Sequence, residues 1–99
     1  MKHIFLQDPI GFAERGENPT VIGKMKSGYA VIGLTQFLPG YCLLLRAPRV
    51  NDLTDLDIKS RSEFLVDMSI LGEAIKEVCK PIRINYSLNF RSLIFRTKP

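Results

Sequence analysis

The 99-residue sequence holds one histidine, two cysteines and no tryptophan, and each shortage closes a branch of chemistry. A lone imidazole, His3, rules out any mechanism that draws two histidines from one chain. Structural and catalytic zinc sites need three or four Cys, His or carboxylate ligands. Cys42 and Cys79 stand far apart without a CxxC spacing, so no metal centre is expected. Both lie in apolar contexts and read as buried thiols of a protein kept in a reducing, cytoplasmic compartment. A cysteine nucleophile would need a neighbouring base, and only His3 is on offer. Gly23, Gly28, Gly33 and Gly40 are scattered singly, as turn glycines are, and make no phosphate-cradling loop. No apolar run approaches the ~18 residues of a membrane-spanning helix. The opening MKHIFLQDPI is broken by Asp8 and Pro9 and is too short for a secretory signal. No cofactor and no membrane partner are implied.

What is present is an ordinary globular composition, 45% hydrophobic and 24% charged, in a length that fits one domain over residues 1–99. The net charge of +4 is unevenly placed. Residues 1–79 carry nine Lys or Arg against all ten Asp and Glu, whereas 80–99 carry Lys80, Arg83, Arg91, Arg96 and Lys98 with no acid. The basic excess therefore belongs to one C-terminal segment. Such asymmetry is either a solvated basic end or the footprint of an anionic partner.

Hydrophobic patterning gives the element order. Asp8-Pro9 is a helix entry, with Asp as N-cap and Pro at the first helical position, and Gly16 closes the short helix near Arg15. Residues 20–25 and 29–34 read as strands joined by a tight hairpin over 26–28. Residues 41–46 form a third strand whose continuous apolar run suits a central position covered on both faces. A long helix spans 57–79, with Phe64, Met68, Leu71, Ile75 and Val78 as its apolar stripe, widened by Leu65 and Ala74. Asp52, Asp55 and Asp57 at its approach are expected to cap rather than to catalyse. Pro81 stops it, residues 82–86 alternate as a fourth strand, and 91–96 read as a fifth. Tyr41 and Tyr86 are expected as half-buried strand residues with faces suited to base stacking. Strands bunched before one long helix favour an α+β domain with an antiparallel sheet of four or five strands.

Several segments together resemble the histidine-triad (HIT) superfamily: RGENP at 15–19, AVIG at 30–33, FLPGYCLLL at 37–45, VNDLTDL at 50–56, the 57–79 helix and RINY at 83–86. The resemblance covers about residues 10–87, and 88–99 diverge into the basic end. It implies a five-stranded antiparallel sheet crossed by the long helix, a homodimer, and a nucleotide-phosphate site by the last strand. It also implies chemistry on dinucleoside polyphosphates or nucleoside phosphoramidates, as in the bacterial HIT-like hydrolases. There the middle histidine of His-x-His-x-His attacks the α-phosphorus and becomes nucleotidylated.

The motif itself is missing. Laid on the family pattern, this chain has Arg91 at the first triad position, Leu93 at the nucleophile and Phe95 at the third. Leu93 has no lone pair to give phosphorus, so no catalytic residue is assigned. Leu34 stands where the family has an Asp for the ribose hydroxyls, a charge-assisted contact of about 1.5–3 kcal/mol. Asn85 matches the family's Asn beside phosphate or ribose. The resemblance thus implies a catalytically impaired HIT-like nucleotide-binding domain, with Ile32 and Leu34 on the base side and Asn85 and Arg91 near the phosphate. The alternative reading is a basic module for nucleic acid or another anionic partner, though nucleic acid is not the expected ligand.

Overall fold

The computed structural model describes residues 4–33, 40–48, 50, 52–89 and 92–98. A 3-10 turn, Ile4–Gln7, leads into helix α1, Pro9–Glu14. Asp8 caps α1 by accepting the Gly11 N–H at 3.2 Å, and Pro9, which has no N–H to leave unpaired, starts it. The chain then forms strands β1 (Val21–Lys24), β2 (Gly28–Ile32) and β3 (Cys42–Arg46). Strands β4 (Arg83–Asn89) and β5 (Ser92–Lys98) follow helix α2 (Ile58–Cys79). All pairings are antiparallel, in the order β1-β2-β3-β5-β4. The last strand is thus inserted beside β3, and β4 takes the sheet edge.

Capping sets the entry to α2. Asp52 accepts the Thr54 N–H at 2.9 Å while Asp55 accepts the Asp52 N–H, a reciprocal capping box around the 3-10 turn Leu53–Asp55. Asp57 then caps α2 through the Ser60 N–H at 2.8 Å. These backbone donors hold both Asp52 and Asp57 below the usual carboxylate range. At the other end Lys80 takes the left-handed conformation (φ 50°) as C-cap, and its N–H reaches the Lys76 carbonyl.

Helix α2 lies on one face of the sheet. Phe64, Leu71 and Ile75 meet Ala30, Cys42, Leu44 and Phe95, with Met68, Cys79 and Ile84 packed around them. Leu44 and Phe95 are wholly enclosed. The expected stripe needs correcting in three places. Val78 is 80% exposed, and Leu65 and Ala74 also face outward. At the final turn Cys79, four residues beyond Ile75, swings to the sheet instead of Val78. Leu65 and Ala74 lie on the flanks of a narrower seam, where Asp67 and Gly72 are buried. At Gly72 the helix backbone comes close to the Tyr86 hydroxyl, which a Cβ there would displace.

The buried Asp67 follows from a contact remote in sequence. Its carboxylate accepts both the Ser27 N–H (2.7 Å) and the Ser27 Oγ–H (2.6 Å), fastening the β1–β2 turn to α2. Charge-assisted bonds of this kind are worth about 1.5–3 kcal/mol each. No helix among the described residues is long and apolar enough to cross a membrane.

Candidate functional site: the outer face of the β4–β5 hairpin

Register sorts the side chains of the last two strands onto two faces, since residues directly opposite each other in a sheet share a side. One row runs Ile32–Cys42–Phe95–Tyr86. Cys42 and Phe95 belong to the core under α2, and the Tyr86 ring meets Phe95 edge-on at 5.2 Å between centroids. This row is the helix side. The next positions along, Arg96 paired with Asn85 and Ser87 paired with Ile94, look the other way. Arg96, Asn85 and Ser87 are exposed, whereas Ile94 is 5% exposed. Arg83, also exposed, is on the same face two residues before Asn85 and pairs in register with Lys98.

Tyr41 extends this face toward β2. Its ring lies against Gly33, where any Cβ would strike it, and the Gly33 N–H donates to the Tyr41 carbonyl at 2.8 Å. The Arg96 guanidinium sits over the ring, 5.9 Å from its centroid. Guanidinium groups bind phosphate as a fork, amide and hydroxyl groups add donors, and an aromatic face stacks on a base. The outer face therefore gathers two guanidinium groups (Arg83, Arg96), an amide (Asn85), a hydroxyl (Ser87) and the Tyr41 ring. Among the described residues it holds no imidazole and no thiol, and none gathers three or more His, Cys, Asp or Glu that could hold a metal.

The sequence matches no family model, and no curated protein is similar to it at a significant level. Solved structures do match. A HIT family protein from Bacillus anthracis str. 'Ames Ancestor' superposes with a TM-score of 0.71 at 14% identity, over 88% of this chain and 70% of that one. A histidine triad protein from Bradyrhizobium japonicum gives 0.69 at 18% identity, over 87% of this chain and 68% of that one. The chain has a HIT-like fold. Identity this low carries the architecture, so the site is read from the residues of this chain.

The residues expected to form a HIT site are only partly brought together. Leu34 and Arg91 lie outside the described residues. Ile32 closes β2 on the helix side, 42% exposed, while Asn85 is on the outer face of β4 with β3 and β5 between the two strands. Ile32 and Asn85 therefore do not line one nucleotide pocket. Leu93 pairs with Leu44 in β3. Phe95, laid at the third triad position, is a core side chain with no exposure. The set of β5 on the other face is offset by one residue and includes Ile94 and Arg96. Neither alternate set of this strand contains a histidine.

From the sequence, Arg96 stands only in the basic C-terminal cluster, whereas the structure sets it beside Tyr41 and Asn85. The signal was available: in a strand that alternates, burying Phe95 forces its neighbour outward.

Proposed function

We propose that this chain is a HIT-like domain that binds nucleotide phosphates without the covalent histidine chemistry of the triad enzymes. One observation carries the reading. The outer face of the last two strands combines Arg83, Arg96 and Asn85 with the Tyr41 ring, and β5 offers no histidine in either alternation. Arg96 and Arg83 take the phosphate oxygens, Asn85 donates beside them, and Tyr41 meets the base or ribose. Leu34 and Arg91, expected from the resemblance, remain candidates for the base side and the phosphate. Covalent attack on the α-phosphorus is absent because no side chain here pairs a nucleophile with an imidazole.

Binding to the native state raises the melting temperature by mass action. AMP, GMP and diadenosine polyphosphates are expected to do so, and Arg96→Ala to abolish the shift without lowering the melting temperature of the free protein. Turnover of a dinucleoside tetraphosphate or an adenosine phosphoramidate should stay at background. An unshifted melting curve with every nucleotide overturns the binding half of the proposal, and sustained turnover overturns the other.

The register also favours a second reading. Arg83 and Arg96 lie on one face of the hairpin as a basic track, which suits a longer polyanion. Affinity for a polyanion falls steeply with salt as several counterions are released. A mononucleotide held by two arginines would show a much shallower slope, so a salt titration with AMP against an oligonucleotide separates the two. A homodimer is part of the proposal as well. Edge strand β4, with exposed Tyr86 and with exposed Ile82 just before it, supports it, because an uncovered apolar edge seeks pairing. Light scattering on the wild type and on Tyr86→Lys tests that assembly.

A further inference from the structure

We propose that Arg96 covers the Tyr41 ring in the free protein until a phosphate group draws it off, so that the hairpin face selects phosphorylated nucleosides over bare ones, a refinement that rests on nucleotide binding by that face. Register supplies the geometry. Ile32, Cys42 and Phe95 stand opposite one another in β2, β3 and β5. One position further along, the same register sets Gly33, Tyr41, Arg96 and Asn85 side by side on the outer face. Tyr41 thus has a neighbour without a side chain on its β2 flank and a long cationic one on its β5 flank. The ring leans over Gly33, where a Cβ would strike Cδ2 and Cε2. From the other flank the Arg96 guanidinium stands over the ring, 5.9 Å from its centroid. A base stacked between the two would need about 3.5 Å on each side, roughly 7 Å in all. The guanidinium must therefore move before a base can lie on the ring.

Two forces hold Arg96 in place. A cation over an aromatic face gains a modest attraction even when exposed. Arg83 adds a push, because it stands on the same face of β4, two residues before the Asn85 that pairs with Arg96. Such diagonal neighbours in a sheet lie about 7–8 Å apart, and residues 80–99 contain no acid to offset the two guanidinium groups. A phosphate seated between Arg83 and Arg96 reverses the push, since each guanidinium then pairs with an oxygen. The same movement uncovers the Tyr41 face for the base that the phosphate carries. Phosphate and base are coupled through one side chain, and by linkage each favours the other.

The test is an NMR titration of the full chain with adenosine, AMP and inorganic phosphate. An exposed cation–π contact biases its arginine by a factor of about two to five. Adenosine should therefore bind about two- to fivefold more tightly to Arg96→Ala than to the wild type. It should gain a similar factor on the wild type saturated with phosphate, at matched ionic strength. AMP should move the other way, weakening about tenfold in Arg96→Ala as a charge-assisted contact is lost. In the wild type the Arg96 Nε–H resonance, shifted upfield by the ring, should lose that shift as phosphate is added. If AMP binds the wild type but adenosine gains nothing from Arg96→Ala or from phosphate, the covering role of Arg96 is overturned and nucleotide binding stands. If AMP does not bind the wild type, both fall. The phosphate comparison on the wild type decides the matter even if the variant misfolds.

Discussion

The two faces of the β4–β5 hairpin are built from the same fourteen or so strand positions, yet they obey different constraints. On the helix side, Phe95 is wholly enclosed, Thr97 is buried, and Tyr86 leans edge-on against Phe95 with its hydroxyl over Gly72. On the outer side Arg83, Asn85, Ser87 and Arg96 are exposed. Packing fixes the first face, because an enclosed aromatic touches neighbours on all sides and tolerates little change. On the second, Ile94 is also enclosed, but the exposed polar positions beside it are not fixed by packing, so their chemistry is free to differ while the architecture stays. That separation explains how a HIT-like fold is retained by a last strand with no histidine.

The largest expected effect strikes the packed face. Phe95→Ala should cost about 3–5 kcal/mol in urea or guanidinium unfolding, by lost transfer energy and an unfilled cavity. Arg96→Ala, one residue away, should stay within ~0.5 kcal/mol of wild type. Equal losses at the two positions would break the contrast between the faces. Next comes the tie between turn and helix. Ser27→Ala removes one of the two bonds to buried Asp67 and should cost about 1.5–3 kcal/mol by the same unfolding measurement.

Smaller effects follow from titration. Burial, with a lesser contribution from neighbouring Cys79, raises the Cys42 thiol to about 11 from 9.0. Below pH 9 both folded and unfolded chains keep this thiol protonated. Between pH 9 and 11 only the unfolded chain ionises, so stability should fall across that window and fall less in Cys42→Ala, measured relative to that variant's own value at pH 8. The smallest effect belongs to the exposed cap of α2. Asp57 has a lowered pKa, so its contribution is present above the usual value of 3.8 and is lost as pH drops through its folded value. The melting-temperature difference between wild type and Asp57→Ala should accordingly shrink in acid.

Much of the architecture was legible in the sequence because local rules agreed with the global fold. Asp8-Pro9 and Asp57 mark their helix starts, the Phe64, Leu71 and Ile75 spacing marks the core seam, and the apolar run at 42–45 marks the central strand. The α+β class follows from those elements, the HIT resemblance rests on the matching segments between residues 15 and 86, and solved HIT proteins share the fold. Other features turn on contacts between distant segments. The Ser27–Asp67 bond joins residues forty apart, and no spacing announces it. The site was legible only in part. Asn85 is exposed on the outer face of β4, but which face each residue of β5 takes depends on its register against β3, and a slip of one residue exchanges the faces. That single step separates a set built on Phe95 from one built on Arg96.

The account stands on nucleotide being held by the outer face and never bonded to the protein. Intact-mass spectrometry after incubation with diadenosine tetraphosphate, run under native and then denaturing conditions, tests this most directly. The expected result is a nucleotide-bound mass in the native spectrum that disappears on denaturation, leaving the unmodified chain and intact ligand. A nucleotidylated chain surviving denaturation would contradict it.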